Sequence, residues 1–173
     1  AVTLARVIAA ICSSEIRQDL DKWSYSTGLR SYHRKIAGKT AALFGLSLEA
    51  GAIEAKAPRR TVETLRRAGY DVGMAFQIID DILDFESTEG VMRKPVGRDV
   101  AEGLCTLPLI HALRADEAGM RSLLAGLRPE GKDGAVDEEI VKAVLEKTVA
   151  LGGLDAAKLE ASRVTARARA AIA

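Results

Sequence analysis

Gly69-Tyr70-Asp71-Val72-Gly73-Met74-Ala75-Phe76-Gln77-Ile78-Ile79-Asp80-Asp81-Ile82-Leu83-Asp84 sets three carboxylates inside an apolar run. On a helix Asp80 and Asp84 lie one turn apart on one face, with Gln77 and Gly73 behind them, and Asp81 stands about 100° to the side. Ile78, Ile79, Ile82, Leu83 and Phe85 take the other side, so both faces are committed and the stretch reads as the end of a helix running from Arg59 to Glu86. An unpaired carboxylate buried in such a stripe costs several kcal/mol and takes up a proton instead. Positive charge is therefore expected beside it. A hard divalent cation meets the need, because Mg²⁺ takes one or two carboxylates together with waters and phosphate oxygens. Mg²⁺ bridged to a diphosphate is the sharp reading; the bland one is a solvated acidic face with i to i+4 ion pairs. The acid spacing and central glycine of an EF-hand loop are absent.

Working outward, alanine and leucine are abundant and aromatic residues make up only 4% of the chain. Alternating apolar and polar runs are scarce, so the helical period dominates and an all-α protein is expected. Val2, Leu4, Val7, Ile8, Ile11, Cys12, Ile16 and Leu20 recur at steps of three and four, which predicts a first amphipathic helix ending near Lys22. Ser26 or Thr27 is expected to cap a second, which carries Ile36, Thr40, Leu43, Phe44, Ser47, Leu48 and Gly51 on one broad face until the Ala57-Pro58 step stops it. Gly69 and Gly73 weaken the third helix locally and point to close packing. Ser87 to Arg98 reads as an exposed, mobile loop, as does Gly126 to Gly134. Thr106 is expected to cap the next helix with Pro108 in its first turn, and Gly152-Gly153 separates two further helices, Asp137 to Leu151 and Leu154 to Ile172.

The 173 residues suit a single domain or a large piece of one, and 25 Lys plus Arg against 24 Asp plus Glu leave a net charge of +1. Such a balance supplies no global field toward nucleic acid or an acidic membrane. The basic stretches Arg59, Arg60, Arg66, Arg67 and Arg163, Arg167, Arg169 lack interleaved aromatics, so nucleic-acid binding is not expected. Cys12 and Cys105 have no paired spacing, which argues against a disulfide framework or zinc cluster and for buried thiols in a cytoplasmic protein. His33 and His111 stand apart from other metal ligands, and Trp23 and Tyr25 read as packing anchors. No transmembrane segment is expected, the longest apolar candidate being Gly103 to Leu113. The first residues, Ala1 to Arg6, lack Met and the zones of a signal peptide, as a trimmed amino terminus would. A diphosphate also needs basic donors. Lys39-Thr40 in the second helix and Lys94 in the loop are the candidates, against plain snorkelling or solvation.

These residues together resemble the trans-polyprenyl diphosphate synthases. Gly69 to Asp84 resembles the family's second aspartate-rich motif with its upstream glycine and Phe-Gln pair; Tyr32 to Phe44 resembles the helix that supplies a phosphate-binding lysine; Ser14-Glu15-Ile16-Arg17-Gln18 resembles its Gly-Glu-x-x-Gln segment; and Thr106 to Ile110 resembles the motif after the loop. The wording of Ile8 to Ala52 is most similar to the long-chain bacterial hexaprenyl and heptaprenyl type. The resemblance covers roughly residues 4 to 170 and corresponds to the carboxyl-terminal portion of the family's domain, without its first aspartate-rich motif or its Gly-Lys-x-x-Arg segment. Arg93 stands in place of a common glycine and Leu104 where many members carry lysine.

The resemblance implies the isoprenoid synthase helical bundle, here about its second half, and a single all-helical domain over 1–173. It implies condensation of isopentenyl diphosphate with an allylic prenyl diphosphate, with Asp80, Asp81 and Asp84 holding Mg²⁺ against the allylic diphosphate. Lys39 and Lys94 would bind that diphosphate, Gln77 and the Thr40 carbonyl would stabilise positive charge, and Phe76 would pack against isopentenyl diphosphate. A homodimer is implied, with a small heterologous subunit as the alternative. A partner-dependent diphosphate-binding subunit and terpene cyclisation on the same fold remain rival readings.

Overall fold

The structure is a computed structural model that describes residues 2–86, 97–128 and 136–173. It contains helices α1 (Val2–Leu20), α2 (Leu29–Ile36), α3 (Ala42–Glu54), α4 (Arg59–Glu86), α5 (Arg98–Ala101), α6 (Leu107–Ala115), α7 (Glu117–Ala125), α8 (Glu138–Ala150) and α9 (Gly153–Ile172), with a π-helical turn at Ala37–Ala41 between α2 and α3. No strand occurs among the described residues, and the all-α expectation holds. The chain divides into two compact units. The first comprises the chain up to Leu20, Arg30–Ile79 and Leu159–Ala173; the second comprises Asp21–Leu29 and Asp80–Lys158. Helices α4 and α9 contribute to both.

In the first unit the backbones meet through glycines. A Cβ on Gly38 would lie 3.3 Å from the Ala10 carbonyl and against the Ser14 hydroxyl, and one on Gly73 would lie 2.6 Å from Ala41 Cα. Gly69 likewise faces the Phe44 carbonyl at 2.7 Å. The close packing expected at Gly69 and Gly73 is present. It also explains a correction. The apolar stripe of α1 was expected to mark its packed face, yet Leu4, Ile8, Ile16 and Leu20 are 51–78% exposed and Cys12 is exposed as well. Backbone approach at Gly38 needs the small Ala10 and Ser14 side, so the bulky side turns outward and only Cys105 is a buried thiol. Helix α9 is tied back by Arg167, whose Nη2 and Nε donate to the two Asp71 carboxylate oxygens at 2.7 and 3.0 Å, and by His33 with Glu160. One further expectation changes: Leu29–Glu54 passes for a membrane span by length and mean hydropathy. Averaging tolerates Lys39 and Glu49, which interrupt any unbroken apolar run. The most apolar window of that segment is 22% buried, and the segment approaches α1 at Gly38 and α4 at Gly45.

Gly51 is the counter-example among these glycines, with nothing within 4 Å of its Cβ position inside α3. Gly51→Ala is expected to raise stability by about 0.5–1 kcal/mol through helix propensity and reduced unfolded-state entropy. Urea unfolding of the complete protein checks it, and a lower midpoint would contradict the open space.

The second unit is built on α6, α7 and α8, where Leu107, Leu109, Ile110, Met120, Leu124 and Val144 are fully buried. Trp23 anchors it as expected: its backbone N–H donates to the Gly103 carbonyl at 2.9 Å, and its ring lies against Gly103, a left-handed residue at φ 74° whose Cβ would strike it. Tyr25 is buried too, and burial together with the nearby Cys105 pushes its hydroxyl up to about 12. Several boundaries differ from the sequence reading. Helix α2 starts at Leu29, and Ser26 pairs with the Ser24 hydroxyl at 3.2 Å. Thr106 stands at the α6 cap position with Pro108 in the first turn, but its side chain makes no capping bond. Asp116 breaks what reads as one helix into α6 and α7 by accepting the Gly119 N–H at 2.9 Å, and Lys147 pairs with it at 2.9 Å. Residues 129–135 of the second expected loop lie outside the described residues, as do 87–96 of the first, whose last residue, Arg98, already opens α5.

Candidate functional site

In the first unit, the π-helical turn carries Lys39 and Thr40. The Ala42 N–H reaches back five residues to the Ala37 carbonyl, the signature of one residue inserted into an α-helix and a device that recurs at functional sites. The Thr40 carbonyl accepts one N–H at the start of α3, which leaves its second lone pair. The Thr40 hydroxyl donates to Gln77 Oε1 at 2.8 Å and so fixes the amide of Gln77. Lys39 Nζ lies 3.1 Å from Glu15 Oε1 and donates to Gln18 Oε1 at 3.4 Å. Both ionic side chains are partly exposed, so the pair is worth little and yields readily to a stronger anion. Phe76 is 55% exposed and stacks at a tilt on Phe44 with ring centroids 5.5 Å apart. It walls an apolar pocket of about 390 Å³ shared with Leu48, Val72, Ile79, Ala168 and Ile172.

In the second unit, the acids of α4 differ in their surroundings. Asp80 is exposed, Asp81 is 5% exposed, and Asp84 is half-buried. Both Asp84 carboxylate oxygens accept backbone N–H groups, from Arg98 at 3.1 Å and Asp99 at 3.0 Å. Burial raises the Asp84 carboxyl, those two N–H groups pull it back, and the charge of Asp80 raises it. Asp99 joins the group: burial first, then the charges of Asp84, Asp81, Asp80 and Glu102, push its carboxyl up to about 7. Every charge acting on Asp99 is negative, whereas at Asp84 the Arg98 charge also lowers the carboxyl. Among the described residues no three His, Cys, Asp or Glu side chains converge on one metal position, so Asp80, Asp81 and Asp84 do not form a three-carboxylate cage. A donor set of one or two carboxylates fits Mg²⁺, which completes its octahedron with waters and phosphate oxygens.

The structure therefore groups Lys39, Thr40, Gln77 and Phe76 within one unit and Asp80, Asp81 and Asp84 within the other, with α4 running through both. Lys94 lies outside the described residues. Three polar neighbours were given no site role from sequence, although Glu15 and Gln18 are the Glu and Gln of the Gly-Glu-x-x-Gln resemblance. Glu15 and Gln18 carried a signal, their spacing of three on one helix beside an apolar stripe; Asp99 carried none, since its place depends on how the chain returns to α4.

The polyprenyl synthetase family model matches residues 2–146. Heptaprenyl diphosphate synthase component 2 of Geobacillus stearothermophilus is 44% identical over 127 residues, covering 73% of this chain and 39% of that protein. The crystal structure of heptaprenyl diphosphate synthase from Staphylococcus aureus superposes with a TM-score of 0.89 at 31% identity, over 98% of this chain and 52% of that one. The polyprenyl synthase of Caulobacter crescentus, complexed with calcium and isoprenyl diphosphate, superposes with a TM-score of 0.86 at 30% identity, over 98% of this chain and 51% of that one. The chain thus spans about half the length of these solved relatives, and less of the curated one. With the match running through α1 to α8 and the relatives sharing both the fold and the name, the chain belongs to the polyprenyl synthetase family.

Proposed function

We propose that the complete protein is a prenyltransferase that condenses isopentenyl diphosphate with an allylic prenyl diphosphate to give a longer trans-polyprenyl diphosphate. The observation that carries this reading is the gathering of acids around the end of α4, where the Asp99 amide is held on the Asp84 carboxylate at 3.0 Å and burial, followed by the charges of Asp84, Asp81 and Asp80, pushes the Asp99 carboxyl up to about 7. The motif of Asp80, Asp81 and Asp84 forms the wall that faces Mg²⁺, and Asp80 and Asp81 are the carboxylates that would reach the ion. Mg²⁺, when bound, supplies positive charge to the diphosphate as it leaves. Lys39 exchanges its weak contacts with Glu15 and Gln18 for the diphosphate, and Lys94 acts as a second donor. The carbon–oxygen bond of the allylic diphosphate breaks, the alkene of isopentenyl diphosphate attacks the allylic cation, and a proton is lost to the departing diphosphate. Gln77, oriented by the Thr40 hydroxyl, and the Thr40 carbonyl present negative ends of dipoles to that cation. Phe76 packs on isopentenyl diphosphate, and its apolar setting limits access of water to the cation.

The protein works in the cytoplasm as a single polyprenyl synthase domain to which both compact units belong. A homodimer is the simplest assembly. The name of the Geobacillus relative, a component 2, favours a second reading in which a small heterologous subunit is needed.

The test is the full-length protein assayed for condensation with Mg²⁺ and with chelator, with products separated by chain length in the presence and absence of isopentenyl diphosphate. Lys39→Ala is expected to raise KM for the allylic diphosphate by about tenfold or more, the scale of one charge-assisted hydrogen bond. Turnover that persists in chelator, or a cyclised product formed without isopentenyl diphosphate, would refute the assignment.

A further inference from the structure

Three hydrogen bonds from one short stretch end on a single residue. The Gly97 N–H donates to the Asp84 carbonyl at 2.9 Å, and the N–H groups of Arg98 and Asp99 donate to the two oxygens of its side chain at 3.1 and 3.0 Å. The Asp84 carbonyl is one of those left without an intrahelical partner at the end of α4. The Arg98 and Asp99 amides are equally orphaned at the start of α5, so Asp84 caps a helix it does not belong to. The same stretch is held from the other side by α8: at Gly97, φ 78°, a Cβ would lie 2.7 Å from Leu145 Cδ1 and 3.0 Å from Val141 Cγ1. Val100, in the turn that follows, is fully buried.

We propose that Asp84 is a positioning residue: it fastens the first turn of α5 to the end of α4 and so sets Asp99 beside Asp80 and Asp81, serving the reaction through that placement without touching metal or diphosphate. The proposal rests on the reading of Asp80 and Asp81 as metal-facing acids and divides the labour among the carboxylates of the motif. Asp80, exposed and on the same face one turn back, faces outward; Asp84 has both oxygens engaged in holding the chain. The capping bonds join groups of this chain alone, the Asp84 carboxylate of α4 and two amides of α5. Asp99 is then a fourth acid whose position is set by α4 itself.

The test uses the complete enzyme and three variants, Asp84→Ala, Asp84→Asn and Asp80→Ala, with two readouts. The first is the Mg²⁺ concentration for half-maximal rate alongside kcat. Asp84→Ala is expected to lower kcat at least about tenfold while leaving the Mg²⁺ requirement within about threefold of wild type, whereas Asp80→Ala raises that requirement more than about tenfold. The second is amide hydrogen exchange of Arg98 and Asp99 measured without metal or substrate. Exchange accelerates at least about tenfold in Asp84→Ala and stays at the wild-type rate in Asp80→Ala. Asp84→Asn keeps one acceptor oxygen and is expected to expose one of the two amides, which preserves the test where the alanine variant does not fold. A Mg²⁺ requirement that rises in Asp84→Ala as it does in Asp80→Ala, or Arg98 and Asp99 amides that stay protected in Asp84→Ala and Asp84→Asn, would overturn the proposal. Failure of the wild-type protein to condense prenyl diphosphates would instead overturn the functional reading, and the exchange rates would still decide whether the clasp exists.

Discussion

In the complete enzyme, Asp80→Ala cuts kcat/KM for condensation by at least about a hundredfold, the scale lost when one preorganised charge-stabilising group is removed. The argument starts from exposure. Asp81 is buried and Asp84 is engaged with two backbone amides, so Asp80 is the exposed member of the three motif acids and the one a hydrated cation carrying phosphate would meet. Removing it leaves the metal-binding wall without its outward member. Asp80→Asn is expected to match the alanine variant, because an amide keeps the shape and loses the charge that a hard cation requires. Asp80 is also among the charges that raise Asp84 and Asp99, so its removal is expected to lower the pH at which the Asp99 carboxyl takes up its proton. Steady-state kinetics across Mg²⁺ concentrations, with NMR titration of Asp99 in chelator, check both halves. Wild-type kcat/KM in Asp80→Ala would remove Asp80 from the site.

Gly73→Ala destabilises the protein by about 2 kcal/mol, a net of overpacking at the upper end of its usual range and the propensity gained by replacing glycine in a helix. The added methyl would stand 2.6 Å from Ala41 Cα and 3.0 Å from Phe44 Cβ. Neither obstacle is the end of a flexible side chain, so α4 must move away from the π-helical turn as a body. The damage should not stay in stability. Thr40 lies in that turn and donates to Gln77, four residues along α4 from the substitution, so kcat falls with the unfolding midpoint. A Gly73→Ala protein as stable as wild type would show that the two backbones are not in contact. The opposite sign expected at Gly51 makes the pair a control for each other.

The helices were legible because period and punctuation agree: Ala57-Pro58 and Gly152-Gly153 stand beside the ends of α3, α4, α8 and α9. The break at Asp116 was not, since the nearest glycine, Gly119, falls inside α7 and a capping carboxylate reads like any other acid on a helix. The face of α1 was misread for a reason of a different kind. Periodicity locates an apolar stripe but not its partner, and the close approach at Gly38 selects the small side of α1. The candidate site was legible wherever one helix carries it, as Gln77, Asp80, Asp81 and Asp84 do. It was not legible where the fold brings separate segments together: Glu15 and Gln18 to Lys39, and Asp99 to Asp84. The inverted division of labour inside the acidic motif belongs here too, because spacing alone makes Asp80 and Asp84 equivalent and only the return of the chain at Gly97 separates them.

The π-helical turn at Ala37–Ala41 also sets a rule about chain length. Each residue turns an α-helix by about 100°, and a π turn holds one residue more than the same stretch of α-helix. Deleting a residue there would let α2 and α3 join as one regular helix over the same stretch, so the flanking segments keep their relation and only the wide turn is lost. His33 would still face Glu160, whereas Lys39 and Thr40, which the wide turn carries, would leave Gln18 and Gln77. In a sequence alignment, a one-residue gap at this point therefore removes a site element while leaving the helices on either side in register.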